Sequence, residues 1–362
     1  MVSILLSISI LGQLGDANDD GCVDLLDFAL MQREFDGPDC PDPNPRMEMM
    51  LVDGGGAGPQ YDFLIGKYEV TNEQFAMFLN DAQADAGQTP RGSSLLFRLD
   101  GRMDTLGGTF MFRPHYGGYE SRIVYNGDAT IGARYRVLHG YARHPVTGVS
   151  WLGALKFCNW LTIVDGLGDD ARAYTEGPHV NNWQAGSIGE LIEDVRGYRL
   201  PMDNLGSATG FVSNQVNDYN EWYKAASYDP AAPSFARLGI YGETVPADHW
   251  FYGFGRDTLQ PSDAHYDSGL TPFVGTAPVG YFNGKEWLCA NGGSTRDSDN
   301  QYGLYDMTGN VAEWLQDQTS SGMRATRGGT TTSNPLALTR DSQLLETTAG
   351  TIGFRVVRVP AQ

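Results

Sequence analysis

Cysteine is scarce in this sequence. Only four of its 362 residues are cysteines, and no two of them form a C-x-x-C pair. Zinc ribbons and dithiol redox sites need such pairs, so both classes of site are excluded. Cys22 and Cys40 flank a short acidic segment and can form a disulfide in an oxidising compartment, whereas Cys158 lies in an apolar helical pattern and is expected to be buried. With Cys289 as the fourth cysteine, three disulfide connectivities stay open.

Basic residues and long apolar runs are also scarce. Lysine and arginine number 25 against 44 acidic residues, and the formal net charge is −19. This balance argues against nucleic acid and anionic membrane as partners, because phosphate contacts need clustered basic side chains. No run reaches the roughly 18 apolar residues of a membrane-spanning helix, so we expect no integral membrane insertion.

The apolar residues 2–11 (VSILLSISIL) are similar to the central region of a signal peptide. No lysine or arginine precedes them and no A-x-A cleavage site follows. A buried strand, or a start codon assigned inside a longer gene, are the alternatives. We expect residues 1–14 to form a leader and the protein to be exported to the extracellular space or the cell envelope.

Glycine and aromatic residues, by contrast, are abundant. Glycine accounts for 46 residues, well above the usual share of about 7%, and aromatic residues make up 11% of the chain. The aromatic content argues against disorder. Together they indicate a loop-rich globular fold in which aromatic side chains fill the interior.

A calcium-binding loop is predicted near the start of the chain. Oxygen-bearing side chains occupy loop positions 1, 3, 5, 9 and 12, Gly21 is at position 6, and position 7 offers a backbone carbonyl. This spacing lets one chain wrap a hard cation with about six or seven oxygen atoms. The predicted ligands are Asp16, Asn18, Asp20, Cys22 through its carbonyl, Asp24 and Asp27.

Apolar residues repeat at helical spacing after this loop, and no comparable helix precedes it. The loop and helix resemble one type I dockerin repeat, the EF-hand-like half-module that docks extracellular proteins onto cohesin partners. A dockerin carries two repeats and this sequence has one, so a cohesin-like partner and a small calcium-stabilised spacer are both open. Residues 37–45 are rich in proline and aspartate and indicate a linker, which makes residues 15–46 one module.

Helix-start signals recur in the remaining chain. Thr71-Asn-Glu-Gln74 is a capping box, and Ser150 is a natural N-cap for the next helix. Asp218-Tyr-Asn-Glu221 is predicted to be the capping box of a third helix. Residues 54–58 (GGGAG) lack the lysine and spacing of a phosphate-binding loop and are predicted to be a plain loop. The buried stripe of the second helix is expected to be Trp151, Ala154, Leu155, Cys158 and Leu161.

Six ordered segments between residues 47 and 359 carry a resemblance to a known family. They read KYEVTNEQF, HPVTGVSW followed by FCNWL, YRLP with EWYKAA, YGLYDMTGNVAEW, RGG and GFRVVR. Together they resemble the sulfatase-modifying factors, that is, the formylglycine-generating enzyme domain, over residues 47–362. The resemblance implies an α+β fold with a C-type-lectin-like core: a loop-rich domain with small antiparallel sheets and two principal helices.

Formylglycine-generating enzymes use a cysteine pair after the Arg-Gly-Gly segment to bind copper(I) and activate oxygen, chemistry that needs soft thiolates. Counting from the glycines, Ser333 and Leu338 stand at the two positions. No copper is therefore expected, no catalytic residue is assigned, and canonical formylglycine synthesis is not expected.

A related branch of the fold resembles iron-dependent sulfoxide synthases, which require three converging histidines. The six histidines here include no pair at i, i+4 spacing, and the closest pair, His139 and His144, are five residues apart. They are predicted to be isolated histidines in polar loops.

The family also implies a calcium site at the Gly-Asn-x-x-Glu-Trp turn. Its positions are Thr308, Gly309 and Val311, through backbone carbonyls, and the Glu313 side chain. The alternative is that Glu313 makes an ordinary hydrogen bond to the turn. A second family site near residues 264–273 has Thr271 where a carboxylate is expected, so it is not carried over.

The function expected from these features is that of an exported calcium-binding protein with a non-catalytic binding or structural domain. Its ligand, a protein, peptide or glycan, is expected to meet residues 83–140, 204–219 or 330–348, because loops on a stable core carry recognition. An enzyme with an unrecognised active site is one alternative. The other is a variable ligand-binding protein of the diversity-generating-retroelement type, altered just before the closing GFRVV.

Overall fold

A computed structural model shows the fold of the main domain. It describes residues 47–84, 95–105, 108–115, 121–175, 184–185, 196–203, 220–239, 244–266, 273, 275–288, 293–320, 322–330, 337 and 340–360. The predicted leader and calcium-binding module, residues 1–46, lie outside these ranges, as do Ser333 and Leu338. None of the helices within these ranges is long and apolar enough to cross a membrane.

Helices form where the sequence carries helix-start signals. Those in the described ranges are α1 (Asn72–Ala84), α2 (Trp151–Val164), α3 (Glu221–Ser227) and a 3-10 turn at Asp169–Ala171. The capping box of α1 is confirmed, because the Thr71 N–H donates to Gln74 Oε1 at 2.9 Å and the Gln74 N–H donates to Thr71 Oγ1 at 3.3 Å. Ser150 caps α2 by accepting a hydrogen bond from the Gly153 N–H.

The cap predicted for α3 is wrong by two residues. Asn220, not Asp218, is the N-cap, and its Oδ1 accepts from the Tyr223 N–H at 2.7 Å. Asn220 is buried and also donates to the Asp203 carboxylate, which fixes its side chain at the helix start. A tertiary contact therefore decides where this helix begins.

The core lies around α2, which is buried on nearly every side. All five residues of the predicted stripe are buried, Cys158 among them, and so are their neighbours from Trp151 to Thr162. Phe157 stacks on Phe75 of α1 with ring centroids 5.7 Å apart and meets Phe354 edge-on at 5.4 Å. Aromatic contacts of this kind fill the interior, as the composition predicts.

The strands are short. In chain order the described strands are β1 (Met49–Val52), β2 (Phe63–Gly66), β3 (Leu95–Phe97), β4 (Met103–Thr105), β5 (Phe110–Phe112), β6 (Ile123–Tyr125), β7 (Tyr135–Val137), β8 (Tyr174–Thr175), β9 (Gln184–Ala185), β10 (Arg237–Leu238), β11 (Thr244–Val245), β12 (Trp287–Leu288), β13 (Gly293–Ser294), β14 (Ala312–Ser320), β15 (Met323–Arg327), β16 (Arg340–Leu344), β17 (Ile352–Gly353) and β18 (Val357–Arg358). Small sheets and few helices make the domain α+β, as predicted.

Two sheets organise the domain. The first has the order β1-β2-β18, so the first and last strands of the described domain share β2 as a neighbour. The second has the order β16-β15-β14-β17. Its β14–β17 pair is parallel, with Ala312 opposite Ile352, whereas the other pairs are antiparallel as predicted. The segment between β16 and β17 contacts the start of α2, where the Gly148 N–H donates to the Ala349 carbonyl and the Trp151 N–H donates to the Leu345 carbonyl, both at 3.1 Å.

The glycine-rich loop of residues 54–58 wraps a lysine. The Lys224 ammonium donates to the carbonyls of Gly55 at 2.7 Å and Pro59 at 3.0 Å. A Cβ at Gly56 would lie 1.7 Å from the Tyr228 hydroxyl, so a side chain does not fit there. Carbonyl groups facing a cation have the wrong polarity for phosphate, which agrees with the plain loop predicted from the sequence.

Candidate functional site

A buried ion-pair network involves β15 and β16, the strands that flank Ser333 and Leu338 in the sequence. Arg327 and Arg340 each donate to the Asp203 carboxylate at 2.6 Å, and Arg327 also donates to the Ala337 carbonyl at 3.3 Å. Burial raises the pKa of Asp203, but the two guanidinium groups outweigh burial and hold this pKa below its ordinary value. Asp203 is therefore a charged structural anchor between β15 and β16.

Cys158 is the one free cysteine within the part of the chain that the structure describes. It is fully buried in α2, and burial raises the pKa of its thiol. Metal binding and oxygen chemistry need the thiolate, which this environment disfavours. Cys158 is thus a core residue.

The prediction of histidines in polar loops is wrong for three of them. His144, His249 and His265 are buried, at 1%, 4% and 3% exposure. Burial lowers the pKa of all three, to about 3 for His144, so they are neutral at pH 7.

Each of these rings has a local partner. His144 Nδ1 lies 3.0 Å from Thr276 Oγ1, His265 Nε2 lies 2.6 Å from the Gly275 carbonyl, and His249 Nδ1 lies 2.8 Å from the Ala247 carbonyl. Across the described ranges no three histidine, cysteine, aspartate or glutamate side chains group together as metal ligands.

The turn that the family resemblance assigns to calcium is tight. Asp306, Gly309 and Asn310 all have positive φ, and a Cβ on Gly309 would lie 2.3 Å from the His265 carbonyl oxygen. The Thr308 hydroxyl accepts from the Gly253 N–H at 2.7 Å. Val311, which follows the turn, is fully buried. The backbone shape expected of this turn is present.

Glu313, the one side-chain ligand predicted there, is already engaged. Its Oε1 accepts from Arg355 at 2.6 Å, and its Oε2 accepts from Arg355 and from Trp222 Nε1, both at 2.7 Å. A guanidinium this close opposes a second positive charge on the same carboxylate. Glu313 in this arrangement does not fit calcium. Its hydrogen bonds go to these two side chains and not to the turn.

Two other carboxyl groups near this pair have raised pKa values. Glu69 is 1% exposed, and among the described residues its Oε1 has no hydrogen-bond partner. Burial, and then the charge of Asp306, raise the pKa of Glu69 well above its ordinary value. Burial also raises the pKa of Asp306, to about 6. Both carboxyl groups therefore favour the protonated form more than an exposed carboxyl does, and a cation bound there would have to compete with those protons.

An open groove of about 450 Å³ lies between β5 and the segment that follows β16. One wall consists of residues 108–110 and Arg113, at β5, and the other consists of residues 346–349, after β16. Two of the three stretches predicted to meet a ligand, residues 83–140 and 330–348, thus contribute to one groove. The third stretch, residues 204–219, lies outside the described ranges.

The sequence does not indicate several of these residues individually, for two different reasons. Glu69, Asp306 and Arg355 stand inside the family motifs KYEVTNEQF, YGLYDMTGNVAEW and GFRVVR, so their segments were recognised but their pairing was not. Phe110 and Arg113 stand in a stretch without periodicity, which carries no signal for individual residues.

The order of segments, the small sheets and the turn around Glu313 define the class of this domain. A family model described as the sulfatase-modifying factor enzyme 1-like domain matches residues 59–360. The chain belongs to this family, which confirms the resemblance drawn from its motifs for the main domain. The dockerin-like repeat lies outside the matched residues.

Curated relatives share part of the chain. The serine/threonine-protein kinase Pkn1 of Chlamydia trachomatis serovar L2 is 23% identical over 228 residues, which is 55% of this chain and 33% of that protein. The protein of the same name from Chlamydia pneumoniae is 23% identical over 230 residues, 56% of this chain and 33% of its own length. This chain thus spans about a third of the length of the curated relatives it matches.

Solved structures are also similar to this chain. The crystal structure of CarF has a TM-score of 0.50 and 21% identity, over 88% of this chain and all of that chain (100%). Treponema denticola variable protein 1 has a TM-score of 0.43 and 17% identity, over 86% of this chain and 95% of that chain. At this identity the likeness to CarF shows the fold and no activity.

Proposed function

We propose that this chain is an exported calcium-binding protein whose main domain is a non-catalytic binding or structural module. The observation that carries the proposal is the presence of Ser333 and Leu338 at the family's two thiol positions. A hydroxyl and an isobutyl group do not ligate copper(I), and a leucine takes no part in oxygen activation. Cys158, buried in the core, does not substitute for them.

A copper(I) titration tests this proposal. The protein competes for copper(I) with a chromophoric chelator under reducing conditions, beside the double variant Ser333→Cys/Leu338→Cys. We expect the wild-type chain to leave the chelator complex intact and the double variant to withdraw copper from it. Stoichiometric copper(I) uptake by the wild-type chain would contradict the proposal.

The ligand is proposed to bind in the open groove. Two stretches that are far apart in sequence, at residues 108–113 and 346–349, form its walls. A cleft of a few hundred Å³ lined by apolar and polar side chains is the usual form of a ligand site. The wider class of ligand, a protein, peptide or glycan, follows the expectation from the sequence.

Calcium is proposed to bind the N-terminal loop through Asp16, Asn18, Asp20, the Cys22 carbonyl, Asp24 and Asp27. In the main domain Glu313 is paired with Arg355, so a cation there would have to be coordinated by Glu69 and Asp306 instead. The N-terminal module then serves as a calcium-stabilised spacer, with a cohesin-like partner as the alternative.

One observation favours a second candidate function, a variable ligand-binding protein. Residues 346–349, which come shortly before the closing GFRVV, line the groove, and this is the part of the chain that diversity-generating retroelements would alter. Sequencing the coding region for residues 330–348 across isolates tests it. Substitutions concentrated there would support the variable protein, whereas an even distribution along the gene would reject it.

A further inference from the structure

The two walls of the groove are joined through a single glycine. The Arg113 N–H donates to the Gly148 carbonyl at 2.9 Å, and the Gly148 N–H donates to the Ala349 carbonyl at 3.1 Å. Gly148 has a φ of +74°, which a residue with a side chain rarely adopts. Ser150, the N-cap of α2, donates its N–H to the Met111 carbonyl at 3.0 Å. The groove therefore has a fixed floor, and a fixed site loses less entropy when a ligand binds.

Part of the backbone of the walls is engaged in hydrogen bonds within the domain. The N–H of Arg113 and the carbonyl of Ala349 both bind Gly148, and the Thr347 N–H donates to the Leu344 carbonyl at 2.8 Å. An extended peptide recognised by strand addition needs a row of open backbone donors and acceptors. The groove offers no such row at these positions, so its ligand is recognised by side chains.

The side chains that line the groove combine donors and acceptors of both signs. The hydroxyls of Thr109, Thr347 and Thr348 both donate and accept, the Glu346 carboxylate accepts, and the Arg113 guanidinium donates. Glu346 and Arg113 cancel in formal charge. The groove favours neither an anion nor a cation, and the chain as a whole, at −19, repels acidic ligands.

Phe110 fixes the guanidinium group of Arg113. The Arg113 Cζ lies 4.1 Å from the Phe110 ring centroid, and the Arg102 Cζ lies 5.3 Å from it. Stacking at this distance restrains the guanidinium plane, so that its N–H groups are held in set directions. The lining of the groove thus combines a planar donor set, a carboxylate acceptor and three hydroxyls.

We infer that this groove binds a neutral oligosaccharide. Sugar hydroxyls each donate and accept, and they match a wall of hydroxyls with one carboxylate and one guanidinium. A volume of about 450 Å³ lies within the range of small-ligand sites. The inference rests on the proposed binding function and narrows its ligand to one chemical class.

A glycan array carrying neutral and acidic oligosaccharides, with a peptide array beside it, tests the inference on the full chain. The neutral glycan with the strongest signal is then titrated by calorimetry against wild type, Thr348→Val and Glu346→Gln. Thr244→Val, at an exposed position in β11, is the matched control. We expect each groove variant to raise Kd by about fivefold or more, because each loses roughly one hydrogen bond to the glycan. The control variant is expected to leave Kd unchanged. Thermal melting checks that all variants fold.

Three results would overturn the inference: no neutral glycan bound on the array, a preference for acidic glycans or peptides, or binding that Thr348→Val and Glu346→Gln leave intact. Each of these leaves the copper(I) result untouched. Copper(I) uptake by the wild-type chain would in turn refute the non-catalytic domain whether or not a glycan binds, so the two failures are distinguishable.

Discussion

Arg355 and Glu313 form the most deeply buried ion pair near the turn. Both side chains are fully buried, and the guanidinium donates to both carboxylate oxygens. Breaking such a pair leaves one uncompensated charge in the interior. We expect Arg355→Met to lower the free energy of unfolding by about 3–5 kcal/mol in urea denaturation.

The double variant Arg355→Met/Glu313→Gln is the control for this prediction. It removes both charges, so it is expected to be more stable than the sum of the two single changes implies. Strictly additive losses would contradict a direct pair.

Asp306 gives the domain a specific pH dependence. Burial raises the pKa of Asp306 to about 6, so the folded state favours its protonated form. Its stabilising contribution is complete below about pH 4 and is lost as the pH rises through about 6. With calcium chelated, we expect the unfolding free energy of wild type to fall between pH 4 and 7 by up to ~2 kcal/mol more than that of Asp306→Asn, measured by urea titration. Parallel curves for the two proteins would refute the assignment.

At the scale of elements, helix α3 begins at a different residue from the one that the sequence predicts. The Asn220 side chain accepts from the Tyr223 N–H and contacts Asp203, whereas Asp218 was the predicted cap. We expect Asn220→Ala to lower the free energy of unfolding by about 1–2 kcal/mol and Asp218→Ala to have little effect, measured by chemical denaturation. A larger loss for Asp218→Ala would restore the predicted capping box.

Elements with local signals were predictable from the sequence. The capping box of Thr71 and Gln74 and the N-cap Ser150 depend on residues three positions apart, and both are present. The parallel β14–β17 pair was not predictable, because it joins residues that are far apart in the sequence, such as Ala312 and Ile352.

In the candidate site, too, local features were predictable and long-range contacts were not. The turn around Gly309 was assigned correctly as a tight turn, but the pairing of Glu313 with Arg355 joins residues 42 positions apart. Burial of His144 and His265 likewise follows from long-range packing against Phe273, with ring centroids 6.4 and 5.5 Å apart. Motif spacing carries no information on such contacts.

For the whole molecule, the negative charge is unevenly distributed. Residues 16–46 hold nine acidic and two basic residues, in less than a tenth of the chain. Calcium in the proposed loop would neutralise part of this charge and stabilise the folded form by mass action. We expect chelation to lower the melting temperature of the full chain by several degrees, as is usual when the free energy of unfolding falls by about 1–2 kcal/mol.

The double variant Asp16→Asn/Asp20→Asn is the matched control for calcium. It removes two proposed ligands and leaves the main domain unchanged, so chelation is expected to shift its melting temperature much less than that of wild type. An equal shift in both proteins would show that calcium stabilises the chain at a site other than the N-terminal loop. No shift in wild type would contradict any stabilising calcium site.

Membership of the sulfatase-modifying factor family establishes the fold of the domain. The fold alone does not establish which reaction, if any, a domain catalyses. The domain has a tight turn at Gly309, the closing strand β18 and buried ion pairs, and we propose that Ser333 and Leu338 occupy the positions of the oxygen-activating thiols. The groove lined by residues of β5 and of the segment after β16 is the proposed place of recognition. The central claim is that this domain binds a ligand and does not oxidise a cysteine substrate.

The most direct test of that claim is an assay for the family's reaction. The full chain is incubated with a Cys-x-Pro-x-Arg peptide, copper(I), reductant and oxygen, and the peptide is analysed by mass spectrometry and by an aldehyde-reactive probe, beside an active family member. The account predicts an unchanged peptide with this chain and aldehyde with the active enzyme. Aldehyde formed by the wild-type chain above the level of copper alone would contradict it.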